Sequence, residues 1–169
     1  MRHLNKYILF AAVSLDGKIS ENSKKIPDWT SREDWKFFQK ELSLCDAVVV
    51  GRKTFVVAKQ YMKKRRVFVL THKATKGSEN TSFINPVKND LKKNLSQFKR
   101  VAIVGGSTVY AYAIKNKLAD ELFLTVEPVI LGSGIPFIKE GILSKKEWVL
   151  MDTKVLNKKG SIILHYMIK

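Results

Sequence analysis

The segment Val101–Tyr110, reading VAIVGGSTVY, constrains the fold more than any other part of this chain. Its first four residues are apolar and predict a buried strand. Gly105-Gly106 and Ser107-Thr108 follow, and Val109 to Ile114 continues as a helix. A strand that passes into a helix through paired glycines leaves backbone N–H groups pointing outward at the positive end of the helix dipole. Such donors suit an anion, and glycine lets a ligand approach where a Cβ would block it. The same residues also suit a tight strand-to-helix turn with no ligand.

The pattern recurs. Asp46 to Val50 predicts a second buried strand, followed at once by Gly51-Arg52-Lys53-Thr54 and a helix. Cations in the first turn of a helix oppose its dipole, so they cost stability unless an anion sits there. The alternative is that both side chains are simply solvated.

The chain in order fills in the frame. Leu4 to Val13 predicts a first strand, and Ser14 to Trp29 a long connection of the kind that covers a site. Thr30-x-x-Glu33 and Ser31-x-x-Asp34 each fit a capping box opening a helix, whose core face is Trp35, Phe38 and Leu42. Asp34 and Phe38 lie one turn apart and project the same way. Arg66 to Thr71 predicts a third strand ending in Thr71-His72-Lys73, Ser82 to Asn85 a short fourth, and Asp90 to Phe98 a short helix. Glu121 to Val129 reads as a strong β-run closed by Pro128 and Gly132-Ser133-Gly134. Trp148 to Leu156 and Ser161 to Ile168, joined by Asn157-Lys158-Lys159-Gly160, predict a terminal antiparallel hairpin.

Strands alternating with helices predict a single α/β domain over 1–169: a three-layer, doubly wound, mostly parallel sheet with a C-terminal antiparallel hairpin. Ligands of such sheets bind outside the carboxyl ends of the strands, where Gly51 to Thr54, Thr71 to Lys73 and Gly105 to Thr108 all fall.

Composition narrows the function. The formal net charge is +16, from 31 lysines and arginines against 15 acids, which raises a nucleic-acid reading. The cations are scattered over every segment, with no aromatic-interleaved basic motif. A lysine-rich surface that attracts anionic small molecules fits better. Tyr7 to Val13 is too short and lacks the cleavage site of a leader, and no run has transmembrane length. The single cysteine, Cys45, forms no internal disulfide and suits a reducing, cytoplasmic location.

Several short motifs, in this order and at these spacings, resemble the dihydrofolate reductase superfamily, which includes the reductase domain of the bifunctional riboflavin-pathway deaminase-reductase. They are Ser14-Leu15-Asp16-Gly17-Lys18-Ile19, Pro27-x-Trp29 with Asp34 and Phe38 downstream, Gly51-Arg52-Lys53-Thr54, Val104-Gly105-Gly106 with Tyr110, and Leu124-Thr125. The resemblance runs almost end to end. It implies NADPH as hydride donor, with the pyrophosphate between Gly51-Arg52-Lys53-Thr54 and Gly105-Gly106-Ser107-Thr108, a cis peptide at Gly105-Gly106, and the adenosine 2′-phosphate near Thr71-His72-Lys73. The nicotinamide slot would be lined by Val13, Ile19, Tyr110 and the glycine pair, under a lid formed by Ser14 to Trp29.

On the substrate side, the resemblance implies that Asp34 grips an amidine edge with Thr125 behind it. Trp29 and Phe38 would complete the pocket, and Lys18 would lie near substrate and cofactor. A carboxylate facing a planar N–C–N edge makes a bidentate, charge-assisted contact that orients the ring. The alternative for Asp34 is the acidic member of a capping box alone. Ser14 to Ile19 and Glu127 to Gly134 lean to the riboflavin branch. However, Val56 to Arg66 lacks that branch's Asp-Pro-x-Leu-x-x-Arg pattern, and Val104 replaces its acid before the glycines. No Cys/His cluster of zinc-ligand type is present, so neither a metal nor an attached deaminase is expected. The expected function is hydride transfer to a pteridine- or pyrimidine-like substrate. The rivals are a dinucleotide-binding module without turnover and a nucleic-acid-binding basic protein. The resemblance also allows a homodimer, which no pattern in the chain specifies.

Overall fold

The computed structural model describes residues 5–73 and 75–169, so Leu4, the expected start of the first strand, lies outside the described residues. Among the described residues ten strands form: β1 Lys6–Val13, β2 Lys18–Ser20, β3 Ala47–Gly51, β4 Arg66–Leu70, β5 Thr81–Ile84, β6 Arg100–Ile103, β7 Glu121–Val126, β8 Ile135–Pro136, β9 Trp148–Val155 and β10 Ile162–Ile168. The helices are α1 Arg32–Ser43, α2 Arg52–Ala58, α3 Leu91–Leu95 and α4 Ser107–Lys115, with a 3-10 turn at Lys59–Tyr61.

Eight strands make one sheet in the order β5-β4-β3-β6-β1-β7-β10-β9. From β5 to β7 all neighbours are parallel; β10 runs antiparallel to β7, and β9 to β10. The central strands are apolar without alternation because both faces are covered. Tyr7 and Leu9 of β1 face a core shared with α3, α4 and Phe68, while Ile8 and Phe10 face Leu42 and Phe38 of α1. Val50, Val67 and Val69 pack under Phe55 and Ala58 of α2 with Met62. These are the three expected layers.

Several boundaries shift. The Glu121 run ends as strand at Val126: Glu127 still donates its amide to the Val13 carbonyl at 2.8 Å, but Pro128 has no N–H to continue the ladder. The helix expected from Asp90 is a short turn, Leu91–Leu95, with Asp90 as its cap. The connection Ser14–Trp29 is not structureless throughout. Its β2 segment pairs antiparallel with β8, a two-residue strand that the sequence pattern did not reveal. Gly134, at φ +127°, lies against the Ser20 carbonyl, where a Cβ would collide with it.

Candidate active site

The two strand–glycine–helix turns are built as one unit. The Gly51 amide donates to the Gly105 carbonyl at 2.7 Å, and Val104 donates to Val49 at 3.0 Å. A Cβ on Gly51 would sit 3.0 Å from Val109 Cγ2, and one on Gly106 would sit 3.3 Å from Thr54 Oγ1. Gly105 has φ +103° and is backed by the Tyr110 ring, and the Gly105-Gly106 peptide is cis, as the resemblance implied. Tyr110 is buried and its hydroxyl donates to the Phe10 carbonyl at 2.6 Å, locking α4 to β1.

These turns form one wall of a cleft of about 1650 Å³ along the carboxyl ends of the strands. Arg52, Lys53, Thr54, Thr71, His72, Lys73, Ser107, Thr108 and Tyr110 all line it, together with Gly51, Gly105 and Gly106. The caps differ across the molecule. The first turn of α1 is capped by Ser31 and that of α3 by Asp90, whereas α2 and α4 start on glycine with no side-chain cap and no acid in the first turn. Ser107 Oγ, at the start of α4, is buried without a hydrogen-bond partner. A buried hydroxyl left unpaired costs about 1–3 kcal/mol, so its presence on the cleft wall fits a ligand with acceptor oxygens.

Across the cleft, α1 presents Asp34, Trp35 and Phe38, and β7 presents Thr125 from below. Ser31 is the cap that forms: its hydroxyl accepts from the Asp34 amide at 3.2 Å. The reciprocal half of the capping box does not form, because the Ser31 amide donates instead to Glu127 Oε1 at 2.7 Å. The Asp34 carboxyl is therefore not occupied as a cap. It faces the cleft, with the Thr125 hydroxyl among the groups acting on it. Burial pushes its pKa up to about 6; the Glu127 carboxylate adds to that rise and the Thr125 hydroxyl opposes it. The apolar floor comes from Phe38, Phe10 and Phe123, with Phe10 and Phe123 stacked at 5.5 Å between ring centres. Trp35 and Tyr61 meet edge-on at 5.1 Å, bridging α1 and the 3-10 turn beside Asp34.

The remaining predicted residues fall differently. Ile19 lines the cleft, but Val13, Lys18 and Trp29 do not. Lys18 pairs through its backbone with Pro136, and the Trp29 indole nitrogen is buried without a partner. The anchored half of the Ser14–Trp29 connection is held by Asp16, which accepts from Ser14 Oγ at 2.6 Å and from the Leu131 and Gly132 amides at 3.1 and 2.9 Å. The other half covers the cleft mouth through Asn22, Ser23, Lys25, Ile26 and Pro27.

A family model described as dihydrofolate reductase matches residues 6–161. The chain belongs to the dihydrofolate reductase family. Its relatives include the uncharacterised Bacillus subtilis protein YwjB, 30% identical over 173 residues that cover 96% of this chain and 97% of YwjB. The fold is similar to that of a pyrimidine reductase-like protein from Corynebacterium diphtheriae, at TM-score 0.76 and 18% identity over 98% of this chain and 92% of that one. It is also similar to dihydrofolate reductase from Enterococcus faecalis, crystallised with NADP(H), at TM-score 0.72 and 21% identity over 98% and 97% of the two chains. In this dihydrofolate reductase family member, Ile19, Pro27, Asp34, Phe38, Thr125 and the two glycine turns converge on one cleft.

Sequence reasoning missed Ser20, Arg32, Gln39, Tyr61 and Lys139 as cleft residues. No motif carries Tyr61 or Lys139; only the β2–β8 pairing and the 3-10 turn bring them to the rim. Glu127 stood inside a quoted motif but drew no role.

Proposed function

We propose that the protein is an NADPH-dependent reductase acting on a compact pteridine- or pyrimidine-like heterocycle. The observation that carries this reading is the buried Asp34 carboxyl, with Thr125 on the same cleft, across from two uncapped helix starts rich in donors.

The residues present fit the cofactor. Ser107 Oγ and the amides at the start of α4 offer donors to a pyrophosphate, with Arg52 and Lys53 supplying countercharge. His72 and Lys73 would serve a further phosphate at the end of β4. When bound, the dinucleotide supplies the hydride. The chain does the rest. Asp34 orients the substrate by its amidine edge and, with a pKa near 6, exchanges a proton with the bound ring close to neutral pH. The Thr125 hydroxyl favours the ionised form of that carboxyl, and Phe38 stacks the ring. The segment from Asn22 to Pro27 excludes water from the mouth. Cys45 is free, in keeping with a reducing, cytoplasmic setting.

The test is loss of reduced nicotinamide with NADPH, offering dihydrofolate and the riboflavin-pathway ribosylaminopyrimidinone in parallel. Oxidation dependent on either substrate supports the reading and names the branch. NADPH binding without oxidation under both would replace it with a dinucleotide-binding module. Asp34→Asn should lower turnover by about 10²–10³-fold while NADPH affinity stays within about twofold. Unchanged turnover would remove Asp34 from the chemistry.

A further inference from the structure

Glu127 is a buried carboxylate that the cleft chemistry above does not use. It is 3% exposed and lies just past β7, two residues beyond Thr125. Both of its oxygens are engaged: Oε1 accepts from the Ser31 amide at 2.7 Å, and Oε2 accepts from Ser161 Oγ at 2.5 Å. Two donors converging on it match a carboxylate, which only accepts. Ser161 is itself held by the Asn157 side chain at the hairpin turn before β10, so Glu127 joins β7, β10 and the start of α1.

The Ser31 amide is one of the orphan donors at the start of α1. In a reciprocal capping box it would be satisfied by the side chain three residues on, here Asp34. Glu127 occupies that acceptor place instead. We infer that Glu127 is the positioning residue of this site: it substitutes for Asp34 as the cap acceptor, freeing the Asp34 carboxyl for the cleft, and sets a like charge behind it. Two consequences follow. The rotamer of Asp34 is decided from outside its own helix, by a strand-end carboxylate. The proton affinity of Asp34 is held up by burial and by Glu127 together. The groups acting on Asp34 come from several elements. Glu127 and the Thr125 hydroxyl approach from the β7 side; the Tyr110 phenol on α4 is bonded to the Phe10 carbonyl, and its own pKa is pushed up by burial first and less by Asp34. On α1, Glu33 is drawn outward to Asn157, and Arg32 lies on the cleft wall.

The inference rests on the proposed reductase reading only for the task it gives Asp34, and two of its tests need no turnover. Glu127→Gln keeps an acceptor for the Ser31 amide and removes the charge. The carboxyl-carbon NMR titration of Asp34 should then shift its midpoint down by about 0.5 unit or more, with protection of the Ser31 amide against hydrogen exchange retained. Glu127→Ala removes both, and exchange at the Ser31 amide should accelerate at least about tenfold. An unchanged Asp34 midpoint in Glu127→Gln overturns the inference, and so does unchanged Ser31 protection in Glu127→Ala. Should the alanine variant not fold, Ser161→Ala takes its place. It frees one Glu127 oxygen, and the same exchange and titration must respond. In turnover, the charge-removing variant should displace the pH profile of kcat/KM in the direction of the Asp34 midpoint, without a matching change in NADPH affinity. A protein showing the NMR shifts but no turnover would sink the reductase reading and leave the role of Glu127 standing.

Discussion

Asp34 carries opposing demands. Its ordinary carboxyl pKa is near 4, and in the folded chain burial first, then Glu127, raises it to about 6. A carboxyl whose folded pKa is raised contributes its full stability below the unfolded value and loses it as pH rises through the folded one. The wild-type protein should therefore lose stability between about pH 4 and pH 7, by at most about 2–3 kcal/mol from this group. Asp34→Asn removes that dependence. Thermal melts should show the variant more stable than wild type at about pH 8 and equal to it near pH 4. Equal pH dependence in both proteins would mean that Asp34 is solvated in solution. Ser107 offers the complementary case. Its hydroxyl is buried and unpaired, so Ser107→Ala should leave stability unchanged or slightly raised. It should weaken NADPH binding by about tenfold, as calorimetry would measure; a stability loss with unaltered binding would give the hydroxyl a structural role instead.

Among the elements, the β2–β8 ribbon is the least supported, with three and two residues and a register shift. Asp16 holds it. The Ser14 hydroxyl first, then the Leu131 amide and, more weakly, the Gly132 amide, keep its carboxyl well down, at about 2. Stability from a depressed carboxyl is present above its unfolded pKa and is lost only as pH falls through the folded one, so this clamp persists at pH 4. Asp16→Ala should accelerate amide exchange at Leu131 and Gly132 at neutral pH while leaving β1 and β7 protected. Loss of protection across the whole sheet would show that the ribbon is not a separate unit. The ribbon explains why only part of the Ser14–Trp29 connection stands over the cleft.

For the whole molecule, the charge of +16 is spread over every segment, and Arg52, Lys53 and Lys73 are among the cations that line the cleft, where β3 and β4 end. Among the described residues no helix is long and apolar enough to cross a membrane. A site that takes one dinucleotide contacts few phosphates. Its affinity should fall by less than about tenfold between about 50 and 200 mM salt, whereas a nucleic-acid binder with many phosphate contacts would lose about 10³-fold or more. A steep salt slope, undisturbed by NADPH, would favour the nucleic-acid reading. The sequence by itself determined the layers, a mostly parallel sheet, the terminal hairpin and the two glycine turns. Each of those follows from local rules: apolar runs buried on both faces, glycine where backbones touch, and hydrophobic periodicity. It also brought Asp34, Phe38 and Thr125 together, through their place in recognisable motifs. Only the tertiary structure decided which half of the long connection covers the cleft, where Lys18 and Trp29 fall, and that Glu127 rather than Asp34 completes the start of α1. Those outcomes depend on contacts between residues about a hundred positions apart, such as Ser31 with Glu127 and Asp16 with Gly132, which no local pattern encodes.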